Sequence, residues 1–80
     1  MEAAEVVELV EKELPGCEVK VQVDGNHYLV VVVGDVFEGL PTIKRQQMIN
    51  KVLFQHLMDG TIHALHPKAF TPSEWATRQG

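Results

Sequence analysis

The sequence predicts an α+β fold in which a small three-stranded sheet packs against helices. Three observations lead to this fold class: apolar residues recur at helical spacing near the start and in the middle of the chain, β-branched strands separate these helices, and a helix-start motif stands near the C-terminus. With 80 residues, 45% hydrophobic and 22% charged, the chain has the length and composition of a single globular domain, 1–80. The predicted order of elements is α-β-β-α-β-α.

The first half of the chain is predicted to form a helix and a β-hairpin. Valine and leucine side chains recur at helical spacing up to the Pro-Gly pair at 15–16, which ends the helix. Valines then alternate with polar residues over 19–23, as in a half-buried strand. The turn sequence at 24–26 leads into the continuous apolar run 28–33, which predicts a central strand.

The second half is predicted to add a helix and a third strand. A loop over 34–41 precedes a helix that begins near Thr42 and ends at the Asp-Gly pair 59–60. A short strand over 61–66 follows and is expected to end at Pro67. Because strand–helix–strand connections are right-handed, the third strand should pair in parallel with the second, which gives a mixed sheet.

The C-terminal helix has the clearest local signal. Thr71 is expected to cap this helix, Pro72 occupies its first position, and Glu74 follows three residues after the cap, as in a capping box. Phe70 and Trp75 stand where a hydrophobic staple would join them. These residues predict a short helix at the end of the chain.

Composition and motifs exclude several classes of function. The single cysteine, Cys17, excludes an internal disulfide and an all-cysteine metal site within the chain. The acidic N-terminus is unlike a signal or transit peptide, and the longest apolar run, 29–33, is too short to span a membrane. We therefore expect a cytoplasmic protein without membrane association. No nucleophile–base motif or phosphate-binding loop occurs, so no enzymatic activity is expected.

The histidines are the candidate metal ligands. If the second and third strands are parallel, His27 and His63 lie at the same end of the sheet, where adjacent strands are about 4.8 Å apart and two imidazoles could bind one small inorganic group. The sequence leaves open whether the two side chains share a face. His66 is an alternative to His27, whereas His56, on the second helix, is expected to be structural. Cys17 is expected at the opposite end of the sheet as a small buried residue.

Five motifs, in the same order along the chain, resemble those of the BolA family. They are the strand start His27-Tyr28, the Phe-Glu-Gly loop 37–39, the basic helix start 44–47, the Ile-His-Ala-Leu segment 62–65 and the C-terminal helix start 71–75. The resemblance covers nearly the whole chain. It implies a fold similar to the class II arrangement of KH domains.

The resemblance also implies a function that composition and spacing do not show. BolA-like proteins are similar in forming heterodimers with monothiol glutaredoxins around a bridging [2Fe–2S] cluster, which glutaredoxin cysteine and glutathione thiolates hold on the other side. The implied ligand is His63, with a second His or Cys near the first hairpin. The turn 24–26 holds neither, so either His27 serves instead or His63 is the only ligand from this chain. The isolated chain is expected to be monomeric and without a cofactor.

The main alternative is a nucleic-acid-binding transcriptional regulator, which the KH-like resemblance also implies. Lys44, Arg45 and Lys51, around the second helix, are the candidate contacts. However, RNA-binding KH domains clamp the backbone with a Gly-x-x-Gly loop, which this chain lacks. The net charge of −4 also disfavours non-specific binding to phosphates.

A third interpretation is an interaction module that binds no metal. Phe37 and Leu40, in the loop 34–41, and Trp75, in the C-terminal helix, would then form part of a docking surface. The metal and non-metal interpretations differ in one observable, which is colour after co-expression with a monothiol glutaredoxin.

Overall fold

The structure, a computed structural model that describes residues 1–79, has the predicted order of elements, except that the second predicted helix is divided in two. The elements are α1 (Ala3–Glu13), β1 (Glu18–Asp24), β2 (His27–Val33), a 3₁₀ turn (Asp35–Phe37), α2 (Thr42–Val52), α3 (Phe54–Met58), β3 (Ala64–Phe70) and α4 (Pro72–Gln79). None of the helices within residues 1–79 is long and apolar enough to cross a membrane.

The sheet is three-stranded and mixed, as predicted. Its order is β1-β2-β3, with β1 antiparallel to β2 and β2 parallel to β3. Asp24 pairs with His27 where the hairpin closes, and His27 pairs with Ala64 at the start of β3. The β-branched residues of 30–33 suit β2 to the central position, where both edges are hydrogen-bonded.

One face of the sheet packs against the helices and forms the core. Alternate residues of β2 point to this face because successive side chains of a strand lie on opposite sides. Their partners come from α1, from the 3₁₀ turn, from α2 and from the residues on either side of α3. The buried core residues are Val6, Val10, Tyr28, Val30, Val32, Phe37, Ile49, Leu53 and Ile62.

The other face of the sheet, called here the open face, is covered mainly at one end. The ring of Trp75 in α4 lies 5.3 Å from that of Phe70, centroid to centroid, and the Lys20 ammonium lies 5.4 Å from the Trp75 ring. The capping box is also formed, because the Thr71 amide donates to Glu74 Oε1 (2.8 Å) and the Glu74 amide donates to Thr71 Oγ1 (3.2 Å). The predicted start of the C-terminal helix is thus confirmed.

The third strand differs from its predicted bounds. It runs over Ala64–Phe70 rather than 61–66, and Pro67 lies inside it instead of ending it. β3 is an edge strand. The amide of Ala64 donates to the carbonyl of Asn26 (3.1 Å) and therefore points towards β2. Since amides alternate in direction along a strand, position 67 faces away from β2, where proline's missing N–H removes no ladder bond.

The second helix is divided in two, whereas the sequence predicted one helix up to residues 59–60. Leu53 leaves helical geometry, with φ −103° and ψ 11°, while its side chain is fully buried. The side chain of Leu53 belongs to the buried core, and a separate short helix, α3, follows it. The exposed Phe54 begins α3.

The structure also corrects the expected place of Phe37. Its side chain is fully buried in the core, so it does not belong to an exposed docking surface. The 3₁₀ turn Asp35–Phe37 follows β2 and places the aromatic ring in the core, while the neighbouring Val36 remains exposed.

Candidate metal-binding site

The two histidines predicted as ligands lie at the same end of the sheet. His27 is the first residue of β2 and pairs with Ala64, so His63 directly precedes the residue opposite His27. The Ala64 amide bonds to the Asn26 carbonyl, which fixes this register where both strands begin. Both histidines are exposed. His27, His63 and His66 are called here the histidine end of the sheet.

The ring of His27 is in polar contact with that of His66. Nδ1 of His27 and Nε2 of His66 are 3.1 Å apart, a hydrogen-bond distance. The ring planes are 11° from parallel and the centroids are 5.3 Å apart. Because the nitrogens are much closer than the centroids, the rings meet edge to edge. Both side chains belong to the open face. Ala64 is paired with His27 and shares its face, and His66, two residues further along β3, points to the same side.

The role of His66 was only an alternative from the sequence. The sequence predicted that the third strand begins at residue 61. That boundary did not show which residue of the second strand is paired with residue 66, so its position diagonally opposite residue 27 was unknown. Once His27 is paired with Ala64, the spacing of two residues places His66 on the same face, within reach of a diagonal contact. The missing information was therefore the strand boundary.

The donor atoms at the histidine end fit an iron–sulfur cluster shared with a partner. Imidazole nitrogen is an established ligand of iron and replaces two cysteines at one iron of Rieske-type [2Fe–2S] centres. The three rings are exposed, so a second protein can reach them. His27 begins β2 and His63 directly precedes the adjacent strand β3, and these are the residues that would hold such a group.

Cys17 lies at the opposite end of the sheet, as predicted, and is half-buried. A Cβ atom added at Gly34, after the end of β2, would collide with Sγ of Cys17. Burial, with a smaller contribution from the charge of Asp35, raises the pKa of the Cys17 thiol. A thiol that stays protonated and lies far from the histidine end does not serve as a ligand there.

The fourth histidine is part of the helical layer. His56 lies in α3 and is half-buried. Among the described residues its Nδ1 is buried without a hydrogen-bond partner, and the carbonyl of His56 accepts a bond from the Ile62 amide at 3.0 Å. The structural role expected for its side chain stays a prediction.

The three basic residues considered for nucleic-acid binding have different surroundings. Lys44 and Lys51 are exposed on α2. The Arg45 side chain is only 13% exposed, and it donates to Glu74 Oε1 at 2.7 Å and to the Leu40 carbonyl at 2.8 Å. Its guanidinium is therefore engaged within the fold.

The fold and this group of imidazoles define a small α+β domain with a histidine-rich end. The family model described as BolA-like protein matches residues 6–74, which is most of the chain. The chain belongs to the BolA-like family.

Known relatives cover almost the whole molecule. The chain is 40% identical over 76 residues to the acid stress protein IbaG of Escherichia coli K12, covering 95% of this chain and 90% of that protein. Its fold is similar to that of a bolA protein homologue from Coxiella burnetii, with a TM-score of 0.82, 30% identity and coverage of 95% and 97%. The BolA domain of SufE1 from Arabidopsis thaliana gives a TM-score of 0.78 at 33% identity, covering 90% and 93%.

Proposed function

We propose that this protein is a non-enzymatic partner of a monothiol glutaredoxin and that the two proteins share a bridging [2Fe–2S] cluster. The observation that carries the proposal is the position of two exposed histidines in a chain of the BolA-like family: His27 is the first residue of β2, and His63 directly precedes the adjacent strand β3. The work of such a complex would be iron–sulfur cluster trafficking or iron regulation in the cytoplasm.

His63 and His27 would supply this chain's ligands. Glutaredoxin cysteine and glutathione would supply thiolates on the other side, as in the family. Imidazole ligands raise the reduction potential of a [2Fe–2S] cluster relative to thiolates. Imidazole binds iron in its neutral form, because the ligating nitrogen must carry no proton. Acid should therefore weaken the attachment of the cluster to this chain. Both properties suit transfer or sensing better than permanent storage.

Reconstitution in vitro tests this function. The purified chain is mixed with a monothiol glutaredoxin, glutathione, iron and sulfide, and visible absorption and circular dichroism are recorded. We expect a spectrum that differs from that of the glutaredoxin alone and that His63→Ala abolishes. His56→Ala is the matched control, because it removes a half-buried histidine of α3 to which no role in the cluster is assigned. A mixture that gives only the glutaredoxin spectrum, and no complex on gel filtration, would contradict the proposal.

Nucleic-acid binding is the second candidate function. It is supported by two exposed lysines, Lys44 and Lys51, which stand about two turns apart on one side of α2. The engagement of Arg45 with Glu74 leaves this surface less basic than the sequence suggested. Fluorescence anisotropy with labelled DNA and RNA at several salt concentrations tests it. Binding that weakens steeply with salt, and that Lys44→Ala together with Lys51→Ala removes, would support this function.

A further inference from the structure

The hydrogen bond between His27 and His66 joins two nitrogens with opposite roles. A neutral imidazole has one N–H donor and one lone pair, so one ring donates and the other accepts. If Nδ1 of His27 donates, Nε2 of His27 keeps a lone pair that can bind a metal. If Nε2 of His66 donates instead, Nε2 of His27 carries a proton and cannot bind. The direction of this one hydrogen bond therefore decides whether His27 is a competent ligand.

The position of the two histidines in the sheet favours His27 as the one that binds the metal. His27 is the residue of β2 nearest to His63 in the register, whereas His66 lies two residues further into β3. The backbone of His63 is therefore nearer to that of His27 than to that of His66. Histidines that bind metals generally donate their other N–H to an acceptor, which fixes the ring orientation and increases the basicity of the ligating nitrogen.

The backbone holds His66 in a suitable place to accept that bond. His66 precedes Pro67, and a residue before proline is restricted to extended conformations. It is also paired with Leu29 in the parallel ladder, which fixes the side of the sheet that its ring occupies. His66 is thus ordered by local sequence and by the sheet.

We propose that His66 is a positioning residue: its Nε2 accepts a hydrogen bond from Nδ1 of His27 and leaves Nε2 of His27 as the nitrogen that binds the cluster. This inference rests on the proposed function, because it assigns to His66 the role of holding His27, one of the ligands in the proposed cluster site. His66 itself does not bind the metal.

The first test uses NMR of the isolated chain, labelled with ¹⁵N and held above the pH range in which histidines titrate. We expect a scalar coupling across the hydrogen bond between His27 Nδ1 and His66 Nε2, with the proton bonded to Nδ1 of His27; a proton bonded to Nε2 of His66 would overturn the inference. We also expect His66→Ala to shift the ring nitrogen resonances of His27, whereas Lys68→Ala, a change on the same face of the same strand, leaves them in place. Unchanged His27 resonances in His66→Ala would overturn the inference.

The second test compares cluster lifetimes in the complex with glutaredoxin. His66→Ala should shorten the lifetime on the order of 10-fold, the effect typical of removing an outer partner of a metal-bound histidine. His66→Gln keeps an acceptor oxygen and should restore part of the lifetime. Since His66 acts through His27, the double variant with His27→Ala should have the same lifetime as His27→Ala alone.

The outcomes separate this inference from the proposed function. If the wild-type mixture forms no cluster, the proposed function and this inference both fail. If the cluster forms but His66→Ala or His27→Ala has no effect on its lifetime, the function is retained on His63 and the role of His66 is overturned. A double variant with a shorter lifetime than either single variant would also overturn it, because His66 would then act independently.

Discussion

The Arg45 guanidinium and the Glu74 carboxylate form a bidentate ion pair, with Nη1–Oε1 at 2.7 Å and Nη2–Oε2 at 3.3 Å. Arg45 also donates to the Leu40 carbonyl, and Glu74 accepts a bond from the Thr71 amide. The pair therefore joins α2 to the start of α4. Hydrogen bonds from Arg45 and from the Thr71 amide lower the pKa of Glu74 from 4.5 to about 2.

The pH dependence of stability should report this ion pair. Because the pKa of Glu74 is lower in the folded state than its ordinary value, its contribution is fully present above pH 4.5 and is lost as the pH falls towards about 2. We expect the wild type to be more stable than Glu74→Gln at pH 7 and this difference to shrink between pH 4.5 and 2. Urea unfolding at a series of pH values measures it. A difference that is independent of pH would contradict the assignment.

The cap of α4 gives a second prediction. Thr71→Ala removes the hydroxyl that accepts from the Glu74 amide, and the free energy of unfolding should fall by about 1 kcal/mol. Thr77→Ala is the control, because the exposed Thr77 hydroxyl only donates back to the Ser73 carbonyl. That control should change stability by less than about 0.5 kcal/mol. Equal effects of the two changes in urea denaturation would contradict the role of Thr71.

Two phenylalanines distinguish core from surface. Phe37 is 0% exposed, and Phe37→Ala should lower the free energy of unfolding by about 3–5 kcal/mol. Phe54 is 56% exposed, and Phe54→Ala should cost about 0.5 kcal/mol or less. Thermal and urea denaturation followed by circular dichroism compare them. A small effect at Phe37 would restore its earlier interpretation as a docking residue.

The contact between Gly34 and Cys17 gives a fourth prediction. Gly34 has φ −171°, an extended conformation open to any residue, so the cost of Gly34→Ala is steric and comes from the Cys17 side chain. We expect a loss of about 1–3 kcal/mol, as is typical of overpacking. Cys17→Ala should relieve part of that loss, because it removes the colliding sulfur. A double-mutant cycle without any interaction energy would contradict this account.

Local patterns were sufficient to predict most of the fold. The alternation of valines in β1, the apolar run of β2 and the capping box of α4 all depend on neighbouring residues, and the structure has each of them. The bounds of β3 were wrong because Pro67 ends a strand only where its amide is needed, and that depends on which strand lies at the edge. The break at Leu53 likewise depends on core packing, which the periodicity of one helix does not contain.

The candidate site was predictable in part, for the same reason. Parallel pairing was enough to place His27 and His63 at one end of the sheet. The contact between His27 and His66 needed the exact register, and the engagement of Arg45 needed the position of Glu74, 29 residues further along the chain. Contacts between distant segments are set by the assembled fold.

The central claim is that this chain supplies histidine nitrogen to a cluster shared with a glutaredoxin. Pulsed electron paramagnetic resonance of the reduced complex tests it most directly, with ¹⁵N-histidine incorporated only into this chain. The account predicts strong ¹⁵N couplings from iron-bound imidazole, which His63→Ala reduces and His56→Ala does not. A reduced cluster without such couplings, or with couplings unchanged in His63→Ala, would contradict it.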